Sequence, residues 1–123
     1  MKTEKFYPIV LSVAGSDSSG GAGVQADLKT FSALGVYGAT AITAITAQNT
    51  VGVHSQLAIG PQMVYDQIIA VVEDLHPRFV KIGMLSNTGI VDAVAENTDL
   101  FDIGVHQVGQ GKVDQTIAAA KGK

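Results

Sequence analysis

Short apolar runs alternate with longer amphipathic segments along the chain, and this order restricts the possible folds more than any other feature. The runs Ile9–Ala14, Ala41–Thr46 and Phe79–Ile82 are typical of buried strands. Between them, apolar residues recur at helical spacing over Val24–Leu34 and Pro61–Leu75. This alternation predicts the α/β class, with a mainly parallel sheet between helices.

The sequence also predicts where the later elements begin and end. Pro61 is tolerated in the first turn of a helix, and His76 ends that helix because it precedes a proline. Residues 86–88 (Ser, Asn, Thr) offer caps for a third helix, which carries Ile90, Val91 and Val94. The alternating stretch FDIGVHQV, residues 101–108, predicts a fourth strand, whereas AQNTVGVHSQ, residues 47–56, is interpreted as a loop.

Charge and cysteine content exclude several classes of function. The net charge is −3, so no basic surface favours nucleic acid as a partner. The absence of cysteine excludes disulfides, thiolate metal sites and a cysteine nucleophile. His54, His76 and His106 do not have the spacing of a metal site, and no metal ligands are predicted.

The apolar run near the N-terminus is interpreted as a strand rather than as a signal peptide. It is brief, and Glu4 interrupts the charged region before it. No segment approaches the length of a membrane span. We therefore expect a cytoplasmic protein without a membrane partner.

A loop of small residues, GSDSSGGAG, connects the first predicted strand to the first predicted helix. In open α/β sheets, ligands bind beyond the carboxyl ends of the strands, where residues 15–23, 46–50 and 83–87 are expected to converge. Backbone N–H groups at a helix start suit an anion or a polar ring substituent, although a tight connection explains the glycines equally well. The loop has neither G-x-x-x-x-G-K-S/T nor G-x-G-x-x-G spacing, so it is no nucleotide fingerprint.

Four side chains near these segments have both a functional and a structural interpretation. Asp27 either complements the positive end of its helix or accepts hydrogen bonds from a ligand's amino or hydroxyl group. Gln48 either lies in a solvated loop or matches the mixed donor and acceptor edges of a heteroaromatic ring. Met84 packs against a ring face or within the core. Lys81, inside a predicted strand, is placed to pair with an acid.

Three segments carry a resemblance to a known family: SVAGSDSSGGAGVQADLKTFSALGVYG, AITAITAQNT and VKIGML. In order and separation they resemble the opening of the hydroxymethylpyrimidine/phosphomethylpyrimidine kinases of thiamine biosynthesis, which belong to the ribokinase-like superfamily. The resemblance runs from about Ile9 to Glu96. It implies a ribokinase-like fold and the phosphorylation of 4-amino-5-hydroxymethyl-2-methylpyrimidine, and then of its monophosphate, with ATP and Mg²⁺.

The same resemblance implies which residues bind the pyrimidine substrate. It assigns residues 1–96 to the N-terminal, substrate-binding part of a ribokinase-like domain. The glycine loop then forms part of the pyrimidine site rather than the ATP site. The positions that match the family's substrate site are Gly15, Ala22, Asp27, Thr46, Gln48 and Met84.

The chain departs from the family pattern after residue 96. Family members are much longer, and their ATP-phosphate site includes a late Gly-Thr-Gly-Asp/Cys segment. Here Gly109-Gln110-Gly111-Lys112 matches that segment only in its two glycines, and we interpret the match as coincidence. No catalytic residue and no site for ATP or Mg²⁺ is identified, and residues 97–123 are an unassigned tail. We expect a truncated fold that is inactive alone and forms a homo-oligomer over its uncovered apolar surface.

Two other functions stay open from the sequence. The chain is either a relative of the pyridoxal/pyridoxine kinases, which share much of this architecture, or a non-catalytic module for pyrimidine binding or assembly. Gln48 and the glycine loop favour the pyrimidine enzyme over the vitamin B6 enzyme.

Overall fold

The computed structural model describes residues 7–83, 85, 87–97 and 105–107. Met84 and Ser86 therefore lie outside the described residues, as does most of the tail. The elements in chain order are β1 (Ile9–Ala14), α1 (Gly23–Ala33), β2 (Tyr37–Ile42), β3 (Ala44–Gln48), β4 (Val53–Ala58), α2 (Pro61–Leu75), β5 (Phe79–Ile82), α3 (Thr88–Asn97) and β6 (Val105–Gln107).

A four-stranded sheet forms the centre of the fold, with the strand order β2-β1-β5-β6. Each neighbouring pair in it is parallel. The residue Ser12, in the middle of β1, is in register with Thr40 on one side and Lys81 on the other. The α/β class with a parallel sheet, predicted from the alternation of apolar runs, is confirmed.

Helices cover both faces of this sheet. Leu11 and Val13 of β1 are wholly buried on one face, in a core that α2 and α3 complete. Because side chains alternate along a strand, Ser12 lies on the opposite face. There α1 packs so closely that a Cβ atom at Gly38 would meet the side chains of Leu28 and Phe31. The core members from α2 and α3 are Val64, Ile68, Ile90 and Val94.

The predicted strand over Ala41–Thr46 is wrong in its bounds. The chain leaves the parallel sheet at Thr43, whose backbone N–H donates to the Ala14 carbonyl and whose carbonyl accepts from the Ile59 N–H. Beyond it, β3 pairs antiparallel with β4 in a separate two-stranded sheet. The segment over residues 47–56, interpreted from sequence as a loop, is thus largely this hairpin.

The remaining boundaries agree with the sequence more closely. Helix α2 begins at Pro61 and is capped by His76 in the left-handed conformation. The Asn87 side chain accepts a hydrogen bond of 3.0 Å from the Ile90 N–H, the expected capping contact for α3. Within the described residues, the predicted fourth strand is present as β6, beside β5. No described helix has the length and hydropathy needed to cross a membrane.

Candidate functional site

The glycine loop, residues 15–23, connects the carboxyl end of β1 to α1 and is organised around the carboxylate of Asp17. Asp17 is 3% exposed. Its Oδ1 accepts from the backbone N–H of Ser19 at 2.9 Å and from the hydroxyl of Ser19 at 2.7 Å. Its Oδ2 accepts from the N–H of Gly21 at 3.0 Å and of Ala22 at 2.8 Å. The Asp17 carboxylate therefore accepts from backbone N–H groups of the loop that, from the sequence alone, are expected to be available to an external anion.

These contacts also set the ionisation of Asp17. The hydroxyl of Ser19 contributes most to lowering the pKa of this carboxyl below its ordinary value of 3.8, while burial acts in the opposite direction. The backbone N–H groups of Ser19, Ala22 and Gly21 lower the pKa further. Hydrogen bonds donated to a carboxylate favour its charged form. The loop therefore carries a fixed negative charge of its own.

Backbone geometry explains why glycine occupies the end of the loop. Gly23, the first residue of α1, has a φ of +61°, a conformation that other residues rarely adopt. A Cβ atom there would collide with the carbonyl oxygen of Gly15. That same oxygen accepts a hydrogen bond of 2.9 Å from the Val24 N–H. The close approach holds the start of the helix against the end of β1.

The β3–β4 hairpin is tied to the glycine loop by four hydrogen bonds. The Ser16 N–H donates to the Ala44 carbonyl at 2.8 Å, and the Thr46 hydroxyl donates to the Ser16 carbonyl at 2.5 Å. The Ser18 hydroxyl donates to the Gln48 carbonyl at 2.6 Å and accepts from the Gln48 N–H at 2.7 Å. The loop and the hairpin therefore form one hydrogen-bonded unit at this end of the sheet.

The side chain of Gln48 is held by its neighbour but keeps hydrogen-bonding capacity. Its Oε1 lies 3.1 Å from the Thr46 hydroxyl. In the part of the chain that the structure describes, its amide nitrogen makes no hydrogen bond. A half-buried side-chain amide can both donate to and accept from a polar ring edge.

Asp27 projects from α1 onto the sheet and forms an ion pair. The Nζ atom of Lys81, on β5, lies 3.0 Å from its Oδ1 and 2.9 Å from its Oδ2. The hydroxyl of Ser12, on β1, donates to Oδ2 at 2.6 Å. The interpretation of Lys81 as the partner of an acid is confirmed. The ion pair and the Ser12 hydroxyl, and not the start of α1, hold the Asp27 carboxylate, because Asp27 lies beyond the first turn of the helix.

The structure brings the predicted site residues together in two groups. Gly15, Ala22, Thr46 and Gln48 belong to the loop and hairpin unit, while Asp27 lies among residues from β1 and β5. Gly83, directly after β5, packs against the end of β1. Its N–H donates to the Val13 carbonyl, and a Cβ atom on it would meet the Ala14 side chain. Met84 lies outside the described residues. That these positions share one substrate pocket stays a prediction.

Sequence reasoning missed several residues that build this site. Asp17, Ser12 and Ser18 each form the contacts given above, yet serine and aspartate in a loop or strand carry no signal of partners so distant in sequence. Gln25, on α1, gives no such signal either. Its side chain accepts from the Asp17 N–H at 2.8 Å and donates to the Ser16 hydroxyl at 2.7 Å.

The described residues do not fit a magnesium or ATP-phosphate site. Within them, no group of three histidine, cysteine or acidic side chains could hold a metal ion. The N–H groups of Gly21 and Ala22, at the start of α1, are already bonded to Asp17. The assignment of the glycine loop to the pyrimidine site rather than to the ATP site stays a prediction.

The chain has the ribokinase-like fold, which it shares with two solved small-molecule kinases. The phosphomethylpyrimidine kinase of Clostridium difficile 630 superposes with a TM-score of 0.79 at 42% identity, covering 89% of this chain and 53% of that one. The pyridoxal kinase of Staphylococcus aureus, solved with ADP, superposes with a TM-score of 0.75 at 31% identity, covering 84% and 38%.

Sequence comparison defines the family more narrowly. The model of the phosphomethylpyrimidine kinase family matches residues 17–108. The hydroxymethylpyrimidine/phosphomethylpyrimidine kinase of Rhizobium meliloti is 57% identical over 93 residues, which are 76% of this chain and 35% of the relative. The chain belongs to the phosphomethylpyrimidine kinase family, and it spans about a third of the length of that relative. The division of the chain at residue 96 stays a prediction.

Proposed function

We propose that this chain supplies the pyrimidine-binding part of an enzyme that phosphorylates 4-amino-5-hydroxymethyl-2-methylpyrimidine and its monophosphate with ATP. Two polar groups, one on α1 and one at the end of β3, support the proposal. Asp27 offers a carboxylate acceptor, and Gln48 offers a side-chain amide. An aminopyrimidine presents complementary donors and acceptors along its ring edge.

The proposal assigns each predicted residue a role in binding the ring. Asp27 accepts a hydrogen bond from the ring amino group, and Gln48 bonds the neighbouring ring edge. Gly15, Ala22 and Thr46 form the wall that the loop and hairpin present, and Met84 covers a ring face. We propose that residues outside the described part bind ATP and Mg²⁺, since within the described part no group of three histidine, cysteine or acidic side chains could hold a metal ion. We also propose that the enzyme is cytoplasmic and that it forms a homo-oligomer.

Replacement of Asp27 tests this assignment. We expect Asp27→Ala to weaken binding of the hydroxymethylpyrimidine by about 1.5–3 kcal/mol, because one hydrogen bond to a charged group is lost. Isothermal titration calorimetry on the purified chain measures the change. Asp74→Ala is the matched control, since Asp74 is an exposed acid on α2. Unchanged affinity in Asp27→Ala would contradict the role of Asp27, and no binding by the unaltered chain would contradict the proposed function.

Pyridoxal phosphorylation is the second candidate function. It is favoured by the structural likeness to the Staphylococcus aureus pyridoxal kinase at 31% identity. The 57% identity to the Rhizobium meliloti relative favours the pyrimidine. Titration of the chain with pyridoxal and with the pyrimidine separates the two. We expect tighter binding of the pyrimidine, and preference for pyridoxal would reverse the assignment.

A further inference from the structure

The β3–β4 hairpin is bonded along one edge and open along the other. Its β3 edge bonds to the glycine loop. In an antiparallel pair, successive residues direct their backbone groups alternately toward the partner strand and away from it. The Ile59 N–H donates to the Thr43 carbonyl, so the N–H and C=O groups of Gln56 and Ala58 point away from β3. Within the described residues, no group bonds to this outer edge of β4.

The sequence gives β4 none of the usual protection of an edge strand. Edge strands are commonly protected by lysine, proline or a covering segment, and β4 (VHSQLA) contains no proline and no charged residue. Residues 30–65 as a whole contain no Asp, Glu, Lys or Arg. The edge of β2 is different, because the side-chain amide of Gln67 accepts from the Ile42 N–H and donates to the Ile42 carbonyl, each at 2.9 Å.

Two exposed apolar side chains lie beside this open edge. The Thr46 hydroxyl bonds to the glycine loop, so the alternation of side chains places Ile45 on the other face of the hairpin. Leu57 is directly opposite Ile45 in the ladder. These side chains are 50% and 65% exposed, respectively. Association over this face removes apolar surface from water, which is favourable.

We propose that two copies of this chain associate through β4, which pairs antiparallel with β4 of the second copy across a two-fold axis. The two hairpins then form one four-stranded sheet, with Ile45 and Leu57 of both copies on the same face. An antiparallel edge is complementary to itself under two-fold symmetry.

Charge favours a second copy as the occupant of this edge. The chain carries a net charge of −3, so two copies repel one another at charged surfaces, whereas the hairpin presents no acidic or basic side chain to its own copy. A partner recognised by its charge finds no complementary group there. The inference names the surface of the homo-oligomer under the proposed function and does not depend on the ligand.

Light scattering over a wide range of chain concentrations gives the dimer dissociation constant. We expect Leu57→Glu to raise it about tenfold or more, because like charges then meet across the interface. Gln56→Pro should have a similar effect, since it removes an N–H that points outward and leaves the bonds to β3 in place. Leu34→Glu is the control, because Leu34 is 73% exposed and follows α1, and its dimer should be unchanged.

Hydrogen exchange on the unaltered chain keeps the inference falsifiable if a variant does not fold. We expect the amides of Gln56 and Ala58 to exchange slowly when the chain is dimeric and faster after dilution to the monomer. An unaltered chain that stays monomeric, or a dimer that protects neither amide, overturns the inference. A monomer that binds the pyrimidine leaves the proposed pyrimidine-binding function intact, and a dimer through β4 that binds no pyrimidine contradicts only that function.

Discussion

Gly23 has a backbone conformation that its surroundings make difficult to replace. Its φ is +61°, and a Cβ atom would collide with the Gly15 carbonyl oxygen and lie 3.1 Å from the Asp17 nitrogen. We expect Gly23→Ala to lower the free energy of unfolding by about 1–3 kcal/mol, from backbone strain together with displacement of the loop. Denaturant titration of the purified chain measures this change.

Gly35→Ala provides the matched control. Gly35 has a φ of +74°, but an added Cβ atom would meet nothing within 4 Å. This variant therefore has the conformational cost without the collision. A larger loss in Gly23→Ala is expected, and equal losses would show that the loop moves aside without cost.

Single residues of the site could be predicted only in part. Lys81 and Asp27 are visible as charges in a strand and a helix, and their pairing follows once the sheet forms. Ser12 gives no such signal, because its hydroxyl binds a residue that only the packing of α1 brings near. The contacts of Asp17 cannot be predicted for a similar reason, since the four hydrogen bonds to its carboxylate depend on a loop path that is set by glycine conformations.

At the scale of the element, Asp17 joins the loop to the start of α1. Its lowered pKa means that the folded state favours the ionised carboxyl more than the unfolded chain does. This contribution to stability is present above pH 3.8 and is lost as the pH falls through the lower pKa of the folded state. We expect the advantage of the unaltered chain over Asp17→Asn in thermal midpoint at pH 7 to shrink below pH 3.8.

Thermal unfolding followed by circular dichroism across this pH range checks the prediction. Asp74→Asn, at an exposed acid on α2, is the control and should show no comparable pH-dependent difference. A difference between Asp17→Asn and the unaltered chain that stays constant down to acidic pH would contradict the role of the Asp17 charge.

The elements themselves differ in how well the sequence encodes them. Pro61 and the proline after His76 mark both ends of α2, so its predicted bounds are those observed. The run from Ala41 to Thr46 has no break in its apolar pattern, although the chain changes sheets at Thr43. That change depends on hydrogen bonds to Ala14 and Ile59, which are tertiary contacts.

At the scale of the molecule, the alternation of strands and helices along the chain determines the α/β fold class and the parallel central sheet. The short hairpin does not follow, because β4 is exposed throughout and lacks an apolar face that would reveal it. Its turn has a local cause, since the Asn49 side chain accepts from the N–H groups of Val51 and Gly52. The unit formed by the glycine loop and the hairpin then lies at the carboxyl end of β1, as a consequence of the topology.

The last prediction concerns what these 123 residues can do by themselves. We expect the purified chain to bind the hydroxymethylpyrimidine without phosphorylating it. Phosphoryl transfer requires groups that hold Mg²⁺ and the transferred phosphate, and within the described residues no group of three histidine, cysteine or acidic side chains could hold a metal ion.

A phosphorylation assay with ATP and Mg²⁺, run beside calorimetry on the same preparation, separates binding from catalysis. Light scattering on that preparation measures the molar mass of the chain in solution and so shows whether it is an oligomer. The full-length Rhizobium meliloti relative, of which this chain spans 35%, serves as the positive control. Binding without turnover is the expected result. Turnover comparable to that control would mean that residues of this chain outside the described part complete an ATP site, because the loop donors at α1 are already bonded to Asp17.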